Sequence, residues 1–101
     1  MESIDIVGMA AALATPWSSH SVGKVGTARV NVLRMDGDPV REEAHEGDEM
    51  LLVLDGRLEL LVEGAEVTVG AGGMYRVPAG ARHAVRPGSC GTLVILEESG
   101  V

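Results

Sequence analysis

The sequence predicts an all-β chain, an antiparallel sandwich closed or nearly closed on itself, with a short helix at its N-terminus. Fourteen glycines fall between short runs rich in Val and Leu, which is the punctuation of strands joined by tight turns. Several of these runs alternate apolar and polar residues, the period of a half-buried strand. With 101 residues, 46% of them apolar, the chain can build one small core but not two. A single domain is therefore expected over residues 1–101, its core barrel running from about residue 27 to 98 and a helix and arm occupying 1–26.

Asp5 precedes Ile6-Val7-Gly8-Met9-Ala10. Its side chain is of the kind that accepts the free N–H groups of a first helical turn, so a short amphipathic helix is expected there. The apolar stretch ending in Ala12-Leu13-Ala14 superficially suits a signal-peptide cleavage site, but Glu2 and Asp5 stand where basic residues belong and Gly8 interrupts the apolar core. No run approaches the length of a membrane span.

The first strand is expected over Thr27 to Met35, with Val30 and Val32 on one face and Arg29 and Asn31 on the other. Met50 to Leu54 follows, and Asp55-Gly56 is a strong two-residue hairpin signal. Arg57 to Val62 alternates so that Leu58, Leu60 and Val62 point inward. Glu63-Gly64 makes a second turn, and Glu66 to Val69 returns with Val67 and Val69 inward. The glycine-rich residues 70–73 turn sharply, and Tyr75 to Val77 is a short strand stopped by Pro78-Ala79-Gly80. Arg82 to Val85 and Thr92 to Leu96, separated by a loop, complete the set. Met50 to Leu54 is apolar on both faces and so needs a second covering layer, which another subunit can supply.

Eight basic residues against fifteen acidic ones give a net charge of −7. Without a Lys/Arg cluster to track phosphates, nucleic acid and anionic membranes are excluded as expected partners. Cys90 is the only cysteine, which rules out an intrachain disulfide and any thiol pair; the cytoplasm is the expected location.

Residues 42–49 hold five acids and one histidine within eight positions. In most chains such a run is a solvated loop. Here it belongs to a wider spacing: Gly37, five residues, Glu43-Ala44-His45, three residues, Glu49, six residues and Gly56. Further on stand Gly72, five residues, Pro78-Ala79-Gly80, two residues and His83. These two patterns resemble the motifs of small single-domain cupins. The first departs from the family in having Glu43 where the first histidine of a His-x-His belongs, and Pro87 stands where the second often ends in asparagine.

The resemblance implies a jelly-roll barrel, the double-stranded β-helix, with Glu43, His45, Glu49 and His83 converging inside it as metal ligands. Imidazole and carboxylate suit a divalent Fe, Mn, Ni or Zn ion, and two carboxylates offset its charge. It also implies a pocket for a small-molecule ligand and a homodimer. The expected activity is metal-dependent chemistry on a small metabolite, of the oxygenase, isomerase, cyclase or lyase type, with Glu43 and Glu49 as candidate catalytic groups; the alternative is a non-catalytic metabolite or sugar binder with a decayed metal site. A second register stays open. Many small cupins place four residues between the second histidine and the glutamate, and under that spacing Glu42 and Ala44 take the two histidine positions. Strand alternation then sends His45 to the opposite face and leaves Glu49 and His83 alone.

Of the remaining residues, His20 is expected at the surface, and Cys90 has no neighbouring base to make it a nucleophile. Met35, Met50 and Met74 are expected as core fillers. Tyr75 and Arg76 are adjacent on a strand, so at most one faces inward. Arg34 and Arg76 are candidates to orient an acidic ligand, with solvated arginines the commoner outcome. Trp17, the sole tryptophan, is expected to anchor the arm.

Overall fold

One strand organises the molecule. The computed structural model describes residues 2–98. Among them lie a helix, α1 (Ile6–Ala11), and eight strands: β1 (His20–Val25), β2 (Ala28–Asp36), β3 (Val40–Glu43), β4 (Glu49–Val62), β5 (Ala65–Gly70), β6 (Met74–Val77), β7 (His83–Val85) and β8 (Cys90–Glu98). The sheet order is β1-β2-β8-β4-β7-β3, with β5 and β6 also paired to β4, and every pairing is antiparallel. The curled sheet is the expected barrel architecture.

β4 can serve four partners because it is bent. Its first half buries Glu49, Leu51 and Val53; its second half buries Leu58, Leu60 and Val62. The inward positions thus change from odd to even numbers, which a regular strand cannot do. A register shift between Val53 and Asp55 on the β8 side supplies the extra residue. The hairpin expected at Asp55-Gly56 is therefore not formed: Gly56 uses its positive φ (79°) to bend a continuous strand instead. Its cross-strand partner is Gly91, φ 101°. A Cβ on Gly56 would collide with the carbonyl of Cys90, and one on Gly91 with the carbonyl of Asp55.

The other turns and caps follow the local chemistry. Glu63 (φ 46°) and Gly64 (φ 82°) form the β4–β5 turn, both central residues left-handed as the tightest hairpin requires. The Asp5 carboxylate accepts the Gly8 N–H at 3.0 Å and caps α1. That helix packs on β2 and β8, where Ala10, Val32 and Val94 are buried.

Two strands were not foreseen. β1 is an exposed edge strand with no apolar alternation, so the expected arm ends at His20 rather than at residue 26. β3 is short and polar, and its apolar content is Val40 alone. The inner face of the curl carries the core, centred on Leu33, Met35, Leu51, Val53, Leu58 and Leu60. On the outer face Met50 and Leu52 are half-buried, and Leu54 and Met74 are exposed.

Replacing Gly56 or Gly91 with Ala is expected to cost at least about 2 kcal/mol, from left-handed strain plus a backbone collision. Gly70 has neither a positive φ nor a neighbour where its Cβ would go, so Gly70→Ala should stay within about 0.5 kcal/mol of the parent. Chemical denaturation of the three variants checks this.

Candidate functional site

The two loops that carry the acid and histidine motifs are clipped together by backbone and one aspartate. The Gly80 N–H donates to the carbonyl of His45 at 2.7 Å. Asp48 accepts from the Ala79 N–H at 2.8 Å and pairs with the Arg76 guanidinium at 3.4 Å, and its own carbonyl accepts the Glu98 N–H at 3.2 Å. The Ala79 N–H, followed by Arg76, holds the Asp48 carboxyl below its ordinary value of 3.8. Arg76 is thus occupied outside the cavity.

Between the clipped loops and the curled sheet lies a cavity of about 230 Å³. Its walls are apolar, with Leu33, Leu51, Leu58, Leu60, Leu93 and Ile95 contributing, and its polar groups are Glu43, His45, Glu49, His83, Glu97 and Ser19. His83 and Glu49 are each 6% exposed, whereas the side chains of His45 and Glu43 keep 42% and 48% of their surface.

One ligand atom from each of His45, Glu49 and His83 falls within 4.8 Å of the other two. The rings of His45 and His83 are 5.3 Å apart between centroids, tilted by 51°. Glu43 stands beside this trio rather than in it, its Oε2 3.7 Å from His45 Nε2. Glu42 and Ala44 are exposed and do not line the cavity. The register that retains His45 is therefore the one adopted. The slip argument fails for a physical reason: β3 ends at Glu43, so residues 44–48 are free of strand alternation and Glu43 and His45 both reach the cavity.

The contact between His83 and Glu49 defines the chemistry of the site. His83 Nδ1 lies 3.0 Å from the carbonyl of Ala81, which only accepts, so Nδ1 carries a proton. Nε2 then turns its lone pair toward Glu49 Oε1 at 3.1 Å. Two buried acceptors at that distance need a positive charge shared between them, a proton or a metal ion. Burial pushes the Glu49 carboxyl above its ordinary value; Glu97 and Glu43 push the same way, and His45 and His83 oppose them.

Glu97 was not singled out from the sequence. The strand expected over Thr92 to Leu96 stops one residue short of it, although the alternation through Leu93 and Ile95 places Glu97 on the same inner face. Asn31, expected opposite the valines, is 6% exposed and donates its Nδ2 to Glu97 Oε1 at 2.8 Å. Trp17 is the anchor expected of it: its N–H donates to Arg34 O at 2.9 Å and its Nε1 to Asp36 Oδ1 at 2.7 Å. Trp17 also lines the cavity. Arg34 holds the arm, donating to the carbonyls of Leu13 (3.1 Å) and Ala14 (3.3 Å). Neither arginine faces the cavity, and neither is simply solvated. His20 and Cys90 are exposed. Met35 is in the core, but Met74 is exposed.

A family model described as "Cupin domain" matches residues 31–97. The chain belongs to the cupin family. Solved structures agree on the fold: a cupin-2 domain containing protein from Shewanella frigidimarina aligns at 21% identity and TM-score 0.84, over 94% of this chain and 93% of that one. Protein NMB1881 from Neisseria meningitidis aligns at 22% identity and TM-score 0.83, over 97% and 100%. The DMSP lyase DddQ from Ruegeria pomeroyi aligns at 22% identity and TM-score 0.71, over 80% of this cupin and 46% of that chain. No functionally curated protein matches it.

Asp48 holds this cupin's two motif loops together only while ionised. With its carboxyl depressed below 3.8, the contact to Ala79 is fully present above that value and is lost as pH falls through the lower folded one. The Ala79 amide proton resonance should titrate with a midpoint below 3.8 in the parent and lose that transition in Asp48→Asn.

Proposed function

We propose that this cupin holds a divalent metal ion through His45, Glu49 and His83 and uses it to act on a small metabolite in the cavity. The buried pair of facing acceptors, His83 Nε2 and Glu49 Oε1 at 3.1 Å, carries the reading. The donor set fits such an ion: two imidazoles and a carboxylate converge, and His83 is oriented from behind by the Ala81 carbonyl, as ligating histidines usually are. Fe, Mn, Ni and Zn all accept these donors. When bound, the ion would supply Lewis-acid activation of a substrate oxygen or of water.

The chain's own residues do the rest. The leucine-rich walls shield Glu49 and His83 from water and strengthen the charge interaction between them. Glu43, half exposed and 3.7 Å from His45, completes the ligand set or stays unligated as a general base that exchanges its proton with solvent. Among the structural relatives, one is named a lyase, and lyase chemistry belongs to the range proposed here, together with oxygenase, isomerase and cyclase reactions. A second reading, a non-catalytic binder of a small metabolite or sugar, is favoured by the glutamate at position 43 and its exposure.

Two further proposals concern context. The outer face of Met50, Leu52, Leu54 and Met74 packs against a second copy to form a homodimer, which covers apolar surface the curl leaves open. The free, exposed thiol of Cys90 suits a reducing compartment such as the cytoplasm. No helix among the described residues is long and apolar enough to cross a membrane.

Elemental analysis of protein purified without chelator should find about one metal per chain, absent from His83→Ala, Glu49→Gln and His45→Ala. Glu43→Gln should retain the metal with roughly tenfold to hundredfold weaker affinity. Because the metal needs the Glu49 carboxylate and burial raises its proton affinity, the apparent affinity for metal should begin to weaken at a pH above the ordinary 4.5 as pH falls. A parent protein that takes up none of the four ions leaves the binder reading standing.

The dimer face is checked separately. Leu54→Glu and Met74→Glu change residues already exposed in the single chain, so both should fold and sediment as monomers where the parent sediments as a dimer.

A further inference from the structure

Glu49 and Glu97 are direct cross-strand partners in the β4–β8 ladder. Side chains so paired leave the sheet on the same face with Cβ atoms roughly 5 Å apart, and like charges there repel. Both carboxylates line the cavity. A fold that needed only a filled barrel would have placed an apolar residue at one of the two positions. Glu97 is instead fixed: the buried Asn31 amide holds its Oε1 at 2.8 Å, and the residue lines the cavity.

The rest of the lining gives this pair its meaning. No Lys or Arg contributes to the cavity wall. Its three carboxylates, Glu43, Glu49 and Glu97, outweigh a dication by one negative charge when both imidazoles are neutral. Glu43 and Glu97 both lie outside the His45, Glu49 and His83 trio; Glu43 stands against His45, which leaves Glu97 as the carboxylate away from it.

We infer that Glu97, positioned by Asn31, is the specificity-determining residue of the cavity, and that the ligand carries a cationic head for it in addition to an oxygen group for the metal. The inference deepens the proposed function and rests on it for the oxygen-binding end alone. A ligand with a second anionic group would meet a carboxylate with no cation of the protein beside it. An ammonium-bearing ligand meets a fixed, partly desolvated acceptor, the setting in which a charge-assisted hydrogen bond discriminates best. The volume of about 230 Å³ restricts the candidates to small metabolites.

Glycine, β-alanine and 4-aminobutanoate are to be titrated by calorimetry against propanoate, butanoate and pentanoate, in which a methyl group replaces the ammonium. The titrations use the parent, Glu97→Gln and Glu98→Gln, with metal content measured on every sample. Glu98 is the exposed neighbour outside the cavity and controls for loss of one charge. At least one amino member should bind about tenfold tighter than its methyl counterpart in the parent and in Glu98→Gln, and the ratio should fall to within about twofold in Glu97→Gln. A ratio near one for every pair in the parent, a ratio that survives in Glu97→Gln, or no binding of either member at millimolar concentration overturns the inference. Protein that carries no metal overturns the metal reading alone: the ratio still reports on Glu97, because the ammonium then faces the three carboxylates of the cavity without an intervening ion.

Discussion

The extra residue in β4, where Gly56 lies against Gly91, is the constraint on which the rest of the structure depends. It lets a single strand turn Glu49, Leu51 and Val53 inward on one side of the bend and Leu58, Leu60 and Val62 on the other. A regular strand of that length would send one of these sets to solvent. Because both face in, the first half of β4 receives β6 and the second half β5 and β7, while β8 runs alongside from Glu49 to Arg57. The loops after β3 and β6 then meet over the start of β4, and His45, Glu49 and His83 come together although they lie on separate elements.

The acids of this protein divide by how their charge is met. Asp48 is bonded by the Ala79 N–H and the Arg76 guanidinium; Glu63 accepts the Arg82 N–H at 2.7 Å and pairs with the same arginine's side chain. Those carboxylates tie loops and have donors sufficient for the purpose. Glu49 is different. It is buried, its one close polar contact is the lone-pair side of an imidazole, and its neighbour across the ladder is another acid. A shared proton or a metal ion must complete this pair in a core of leucines and valines, since a buried charge left uncompensated is among the costliest features a small domain can carry. Such a group is retained where a ligand completes it.

What the sequence disclosed follows the range of the forces involved. Turn and cap chemistry is local, so the Asp5 cap, the Glu63-Gly64 turn and the inward Leu58, Leu60 and Val62 were legible from a few residues each. Asp55-Gly56 misled because a glycine at positive φ serves a bend as well as a hairpin; what decides between them is Gly91, remote in sequence. β1 gave no signal, since an exposed edge strand buries nothing and therefore shows no alternation. The metal-ligand candidates were visible through motif spacing, and the question of His45 turned on where β3 ends. Alternation through Leu93 and Ile95 could have carried the inner face on to Glu97, but its place opposite Glu49 is set by the register of β8 on β4, which no short window contains.

The glutamate at position 43 is best understood together with that hidden acid. Relative to the family motif it exchanges a neutral imidazole for a carboxylate, which makes the cavity more negative, and Glu97 adds to the same imbalance. No lysine or arginine among the described residues counters it from within. Of eight basic residues none lines the cavity, and the two arginines best placed in the sequence are engaged elsewhere, Arg34 on the carbonyls of Leu13 and Ala14 and Arg76 on Asp48. Protein cations are held at the periphery, where they fasten the arm and the loops, and the interior is left with acids and imidazoles. A cavity of that kind is suited to a positive charge brought from outside, as the proposed ion and ligand would be.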